Sequence, residues 1–182
     1  MSFETERLFC FSLTLEDYEI FARGGEPLWR DFTNPYRHLV DGPTPLPHRI
    51  PKVRANPEFA EIGLIVAAMK SSGEIIGSAG FHDFPDERGM IEIGFGIAPE
   101  KQRNGFGTEL LLGMWKMISS RPDVKILRYT VSPTNVPSLH IINKFAFAKV
   151  GEQIDPDDGL ELIYEIKTIN FHALHGELPK FR

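Results

Sequence analysis

The residues best equipped for chemistry lie in one stretch, Ile91-Glu92-Ile93-Gly94-Phe95-Gly96-Ile97-Ala98-Pro99-Glu100-Lys101-Gln102-Arg103-Asn104-Gly105-Phe106-Gly107-Thr108-Glu109-Leu110. It reads as a strand, a short turn, a glycine-bearing loop and the start of an amphipathic helix. The first turn of a helix has N–H groups without intrahelical partners and about half a positive charge. Glycines there let an anion approach the backbone with no Cβ in the way. Arg103 adds a planar fork of donors suited to phosphate. The pattern predicts a diphosphate seated on the amides of residues 103–108. Two common phosphate loops do not fit. A Walker loop needs a lysine directly after its second glycine, and Gly105-Phe106-Gly107 has none. A dinucleotide fingerprint needs a third glycine, where this chain has Leu110 after Gly105 and Pro99 after Gly94.

The rest of the chain must position this stretch. Its 182 residues are expected to form one domain, 1–182. Lysine and arginine number 20 and aspartate and glutamate 25, a formal net charge of −5. That balance disfavours nucleic acid as a partner and tolerates a cationic substrate. A single cysteine, Cys10, cannot form an internal disulfide and reads as a small core residue. The first residues lack a basic then apolar leader, and no run approaches about 18 apolar residues. No membrane partner and a cytoplasmic location are therefore expected.

Apolar spacing predicts a strand over 6–13 and a helix over 15–23, capped by Thr14 and stopped by Gly24-Gly25. Seven of the 14 prolines fall between Arg23 and Pro57, which predicts broken loop with short helical turns. That region is either a packed surface excursion or a lid on the substrate side. Three antiparallel strands are expected at 62–70, 74–81 and 90–97. Leu110, Leu111, Met114, Trp115 and Ile118 then recur at helical spacing until Arg121-Pro122. A strand over 126–132, a helix from Asn135 to about Lys144, and a strand pair at 147–153 and 160–167 follow. The tail from Thr168 has weak periodicity and is left unassigned. The fold class is α+β, a mixed, mainly antiparallel central sheet with helices on both faces.

Gln102-Arg103-Asn104-Gly105-Phe106-Gly107 resembles the Gln/Arg-x-x-Gly-x-Gly/Ala signature of the GNAT superfamily, the acetyl-CoA-dependent N-acetyltransferases. Asn135-Val136-Pro137-Ser138, followed by Asn143-Lys144-Phe145-Ala146-Phe147, resembles its second motif, with Ala146 where the family usually has glycine. Glu92-Ile93-Gly94-Phe95-Gly96-Ile97-Ala98-Pro99-Glu100 is similar to the fourth strand of the Rim-like branch, the acetylases of ribosomal-protein N-termini. The element order resembles the family from about Glu6 to Ile166. At Ala146 a local adjustment is expected, with the fold kept.

The resemblance implies the acyl-CoA N-acyltransferase fold, with acetyl-CoA as co-substrate and an amine as acceptor, either a small molecule or a protein N-terminus. It places the pantetheine arm along Ile97 and Ala98, and the diphosphate on Gln102, Arg103, Asn104, Gly105, Phe106, Gly107 and Thr108. Asn135 would hold the arm, although an asparagine there also suits a helix N-cap. The reaction would be direct amine attack on a thioester in a ternary complex. Glu92 is the candidate base, on a strand face it shares with Gly94 and Gly96. It is equally readable as a structural strand glutamate. Many relatives place a tyrosine acid seven residues after the motif asparagine, where this chain has Ile142. In the Rim-like branch a serine three residues on is the donor to the departing sulfur, and Ser138 matches it. A first-turn helix serine is the plainer reading.

Six carboxylates and no basic residue lie between Gly151 and Glu165, a pattern usual for a solvated face. Asp157 and Asp158 are second-rank candidates for positioning the amine. His172 and His175 have no third ligand at a recognised spacing, so no metal site is expected. A CoA-binding module or sensor without turnover is the alternative function. Oligomeric state is open, a homodimer included.

Overall fold

The computed structural model describes residues 1–156 and 159–176. The strands among them are β1 (Ser2–Glu4), β2 (Leu8–Ser12), β3 (Ile65–Met69), β4 (Ile75–Phe81), β5 (Met90–Ile97), β6 (Ile126–Val131), β7 (Ala148–Asp155) and β8 (Gly159–Lys167). The helices are α1 (Leu15–Ala22), α2 (Leu46–Ala55), α3 (Ala60–Gly63), α4 (Phe106–Ser119), α5 (Val136–Ile142) and α6 (Thr168–His175). The strands hydrogen-bond in the order β1-β2-β3-β4-β5-β6-β8-β7. The pairs β1–β2, β2–β3, β3–β4, β6–β8 and β7–β8 are antiparallel, and β5–β6 is parallel. The sheet is thus mixed and mainly antiparallel with flanking helices, the fold class the sequence predicts. No helix among the described residues is long and apolar enough to cross a membrane.

Contacts cluster into two units, Met1–His82 with Phe95–Gly113, and Asp83–Gly94 with the chain from Met114 onward. In the first unit, period-two alternation on β2 buries Leu8 and Cys10 on one face. Its other face offers Phe9 and Phe11 to Phe32, at ring distances of 5.6 and 4.7 Å. Trp29 meets Phe11 edge-on at 5.3 Å and Phe21 of α1 at 5.8 Å. These rings pin the proline-rich segment to β2 and α1. Thr14 caps α1 reciprocally: its hydroxyl accepts from Asp17 N at 3.2 Å, and Asp17 Oδ2 accepts from Thr14 N at 2.8 Å.

The proline-rich segment is more regular than its composition predicts. α2 runs ten residues through it. Pro45 and Pro47 sit at its start, where a missing N–H deprives the helix of nothing. Leu46, Ile50 and Val53 are buried, and the Arg49 guanidinium donates to the Gly63 carbonyl at 3.1 Å. Those anchors outweigh Pro51 in the helix interior. β3 begins at Ile65, later than predicted, because the helical turn α3 takes Ile62; a short apolar run cannot distinguish the two states. Strand β1, which the sequence reading did not assign, pairs with β2.

In the second unit, β5 and β6 pair from Met90↔Ile126 to Ile93↔Tyr129. The predicted closing strands form, with β8 beside β6 and β7 outside it. Trp115 is fully buried and packs on Phe145 at 4.9 Å and Phe147 at 4.7 Å, with Tyr129 and Phe171 at 6.3 and 6.1 Å. Phe171 belongs to α6, the helix hidden in the unassigned tail; a single buried ring anchors it, so its periodicity is weak. Helix α5 is shorter than predicted and passes into a 3₁₀ turn, Asn143–Phe145.

That turn ends on Ala146 at φ 57°, ψ 28°, the left-handed region. A Cβ in that conformation costs roughly 1–2 kcal/mol. Here lies the adjustment expected at the missing glycine: the backbone keeps its turn and alanine bears the strain. Ala146→Gly should stabilise the protein by about 0.5–1 kcal/mol, because glycine's freedom in the unfolded chain offsets part of the relief. Urea unfolding midpoints measure it, and a lower midpoint for the variant would exclude strain at this position.

Candidate active site

The first unit holds the glycine-bearing loop. At the end of β5, Ala98 N donates to Ile76 O at 2.8 Å. Pro99–Lys101 then makes one 3₁₀ turn. Gln102 Nε2 donates back to Ile97 O at 2.9 Å. Asn104 Nδ2 donates to Lys101 O at 3.3 Å and Gln102 O at 2.9 Å. Both side chains therefore bind the loop's own carbonyls and hold its shape. Arg103 and Gly105 have φ of 62° and 81°. The chain then enters the 14-residue helix α4.

Among the described residues, the N–H groups of Arg103, Asn104, Gly105, Phe106, Gly107 and Thr108 meet no acceptor; the first bond into the loop is Glu109 N to Gly105 O at 3.1 Å. Residues 102–105 are exposed. A row of unpaired amides at the positive end of a helix can bind an anion, and its length suits two linked phosphates. The Arg103 guanidinium forms no ion pair among the described residues. The residues present thus fit the diphosphate of coenzyme A.

A contact absent from the sequence reading fixes this helix start. Glu109 Oε1 accepts from Thr5 Oγ1 at 2.5 Å and Arg7 N at 2.7 Å, and Oε2 accepts from Arg7 Nε at 2.7 Å. Arg7 Nη1 donates to Asn104 O at 3.0 Å, and its Cζ lies 4.2 Å from the Phe106 ring centre. Burial pushes the Glu109 carboxyl up, but Thr5 and Arg7 outweigh it and hold it below the usual carboxylate range. The partners lie 102 residues apart, so no local spacing could reveal the pair.

The end of β5 is crowded on one side. A Cβ on Gly77 would run into the Gly96 carbonyl. A Cβ on Gly96 would lie 3.8 Å from His38 Cε1. His38 comes from the proline-rich segment, which the sequence flags only for its prolines. Its Nε2 is 2.9 Å from Ser78 Oγ on β4. Asn34 clamps its backbone, Oδ1 accepting from His38 N at 2.9 Å and Nδ2 donating to His38 O at 3.0 Å. Burial pushes the ring down to about 4, so it is neutral at pH 7. The groups packed on it, Ser78, Gly96 and Asn34, are not ionisable, and neighbouring Arg37 is paired with Glu26 and Asp41.

In the second unit, Glu92 is half-buried and its Oε1 accepts from Thr130 Oγ1 at 2.7 Å. Asn135 caps α5, its Oδ1 accepting from Ser138 N at 3.2 Å. Ser138 is buried beside Tyr129, whose phenol burial pushes up to about 12. Tyr129 is thus a neutral hydroxyl beside Ser138, which the sequence reading missed. Ile142 is buried in the core. Within the acidic run, Glu165 accepts from Arg128 at 2.6 and 2.9 Å, and Glu152 pairs with Lys149 at 2.7 Å. Asp157 and Asp158 lie outside the described residues. His172 bonds Ser119 at 2.7 Å, and the His175 ring packs on Phe171 at 4.8 Å. Burial first, then Glu109, pushes the Cys10 thiol up to about 12.

The profile of the acetyltransferase (GNAT) domain matches residues 11–148. The chain belongs to the GNAT acetyltransferase family. An uncharacterized N-acetyltransferase of Bacillus licheniformis is 28% identical over 83 residues, which are 46% of this chain and 47% of that protein. The match thus spans about half the length of this relative. A ribosomal-protein alanine acetyltransferase of Vibrio fischeri has a similar fold, with TM-score 0.66 and 15% identity over 94% of this chain and 98% of the other. An aminoglycoside acetyltransferase solved with coenzyme A has TM-score 0.60 and 18% identity over 91% and 98%. At these identities the likeness is one of fold.

For this GNAT chain, the first unit brings together Ile97, Ala98 and residues 102–108. The second joins Glu92 to Thr130, and Asn135 to Ser138 and Tyr129.

The neutral His38 carries a pH signature. Above pH 6.5 its ring is neutral folded and unfolded, so protonation favours neither state. Below that, the unfolded chain takes up the proton first, and stability falls with pH until the folded ring titrates near 4. The difference from 6.5 is about 3 kcal/mol. Urea unfolding of the native protein should therefore lose about 3 kcal/mol more between those pH values than unfolding of His38→Gln. Parallel losses would mean the ring is protonated in the fold.

Proposed function

We propose that this GNAT domain transfers an acetyl group from acetyl-CoA to a primary amine, by direct attack in a ternary complex. The observation that carries the reading is the row of six amides, residues 103–108, without an acceptor among the described residues at the start of a 14-residue helix. Arg103 adds charge to that cradle, while Gln102 and Asn104 keep its shape. Ile97 and Ala98 offer strand backbone to the pantetheine arm, and Asn135 holds it.

Acetyl-CoA supplies the acetyl group as an activated thioester. A lysine-type amine reaches pH 7 protonated, and freeing its lone pair costs roughly 4–5 kcal/mol; an α-amine near 8 costs about 1–1.5 kcal/mol. Glu92 accepts that first proton, through water, and passes it to solvent. Ser138, backed by the neutral Tyr129, gives a hydrogen bond to the sulfur as it leaves. The net charge of −5 favours a cationic acceptor. Resemblance of residues 92–100 to the Rim-like branch, with a similar fold in a ribosomal-protein acetylase, supports a protein N-terminus as the first acceptor to test.

The test is thiol release from acetyl-CoA with an alanine-starting peptide, spermidine and an aminoglycoside, alongside calorimetric binding of acetyl-CoA. Release with at least one amine is expected. Binding without release across a wide panel would favour a CoA sensor.

Gly105→Val should weaken acetyl-CoA binding at least tenfold, because a branched side chain stands where phosphate approaches. Valine at φ 81° also costs roughly 1–2 kcal/mol of stability, so affinity is measured where the variant stays folded. Unchanged affinity would move the diphosphate elsewhere. Glu92→Gln keeps an acceptor for Thr130 and should lower kcat about 100-fold with acetyl-CoA affinity intact, most severely at low pH with a lysine-like amine. Equal activity across pH would remove Glu92 from the reaction.

A further inference from the structure

His38 is a half-buried titratable group that the roles above leave unused. Its placement is over-determined. Arg37 and Leu39, on either side of it, have φ of 48° and 67°, the left-handed region that non-glycine residues avoid. Arg37 is held there by Asp41 at 2.8 Å and Glu26 at 3.1 Å, and Leu39 is buried. Asn34 ties the His38 backbone at both N and O. Strain of this kind persists only where the surroundings impose it, and here it turns one imidazole onto the end of β5. The site has no Cβ in its path, because Gly96 faces the ring.

The ring's two nitrogens are unequal. Nε2 is engaged with Ser78 Oγ, and Nδ1 takes no hydrogen bond among the described residues. The Ser78 hydroxyl can donate or accept; where it accepts, Nε2 carries the hydrogen and Nδ1 keeps its lone pair. The ring is neutral at pH 7, so that lone pair is available.

We propose that His38 is a further catalytic residue: its Nδ1 takes the second proton of the acceptor nitrogen, the one lost as the C–N bond forms beside Gly96 and Ile97. This rests on the acetyl-transfer reading. The step balances. An acceptor arriving as an ammonium ion must lose two protons to become an amide. The first goes to solvent before attack. As the nitrogen lone pair bonds to the thioester carbon and the C–S bond breaks, the second passes to Nδ1. An imidazolium in this half-buried site is a strong acid, so it yields that proton to the departing sulfur and the ring returns neutral. Ser78 is a positioning residue, holding the ring at Nε2.

The experiment compares wild type, His38→Gln and Ser78→Ala in three measurements. These are acetyl-CoA affinity by calorimetry, kcat for thiol release with the amine that wild type uses best, and long-range ¹H–¹⁵N correlations of the histidine rings with and without acetyl-CoA. In wild type, Nδ1 of His38 should resonate as an unprotonated nitrogen and shift when acetyl-CoA binds. His38→Gln should keep acetyl-CoA affinity within twofold and lose about 100-fold in kcat. Ser78→Ala should lose about tenfold in kcat and show mixed tautomers. If His38→Gln does not fold, the ring spectra and Ser78→Ala decide alone.

The failures separate. No acetyl-CoA binding by wild type sinks the cradle, and this proposal with it. Binding without thiol release sinks the transfer reading, and likewise this one. Normal kcat in His38→Gln, or His38 signals indifferent to bound acetyl-CoA, overturns the role of His38 alone.

Discussion

Backbone N–H groups are obligatory donors, and a chain normally satisfies them. The stretch from Arg103 to Thr108 presents six in succession without an acceptor among the described residues. The arrangement is tolerable because the loop is exposed and water can serve those donors. It is useful because the helix behind them adds its dipole to the same spot. An anion that replaces the water gains several charge-assisted bonds at once. Other features of the first unit make sense as means of keeping that row aligned. Gln102 and Asn104 bond inward, and Arg7 reaches the Asn104 carbonyl.

The Arg7–Glu109 pair solves an electrostatic problem as well. A carboxylate in the first turns of a helix suits the dipole but competes with an incoming phosphate. Glu109 is occupied by Thr5, by Arg7 N and by the Arg7 guanidinium. Its charge is compensated in place, and the same guanidinium covers Phe106. One cation thus links β2's leading edge, the loop and the helix start. An exposed ion pair contributes little alone. Here three donor contacts converge on one partly buried group, which is a different case.

Local pattern made much of this legible. β5 occupies the predicted residues because alternation and a glycine-free start define it, and α4 follows from its apolar stripe. Thr14 announced a helix N-cap. The row of unpaired amides was readable because loop and helix are contiguous. What escaped depends on distance or on burial. Arg7 and Glu109 meet only after the sheet forms. Tyr129 becomes relevant through its place beside Ser138, nine residues on and in another element. α2 hid behind prolines that composition counts as breakers, although position decides their effect. α6 hid because one ring, Phe171, anchors it and no stripe repeats.

The distribution of strain separates what serves the fold from what serves the site. Among the described residues, four non-glycine positions have positive φ: Arg37, Leu39, Arg103 and Ala146. Ala146 closes a turn where glycine would do the same work, so its strain has no evident use. Arg103 begins the row of unpaired amides, and a positive φ there turns the chain from an extended residue into the loop before α4. Arg37 and Leu39 bracket His38. A sequence free to relax these positions could place glycine at each, and the chain does carry glycine at Gly105 within the same loop. At Arg37 and Arg103 it keeps side chains with a charge instead. One is spent on Glu26 and Asp41, which hold the bend beside His38; the other remains beside the amides, where an anionic ligand would meet it. Strain at these two points is therefore coupled to charge placement, whereas at Ala146 it is coupled to nothing polar.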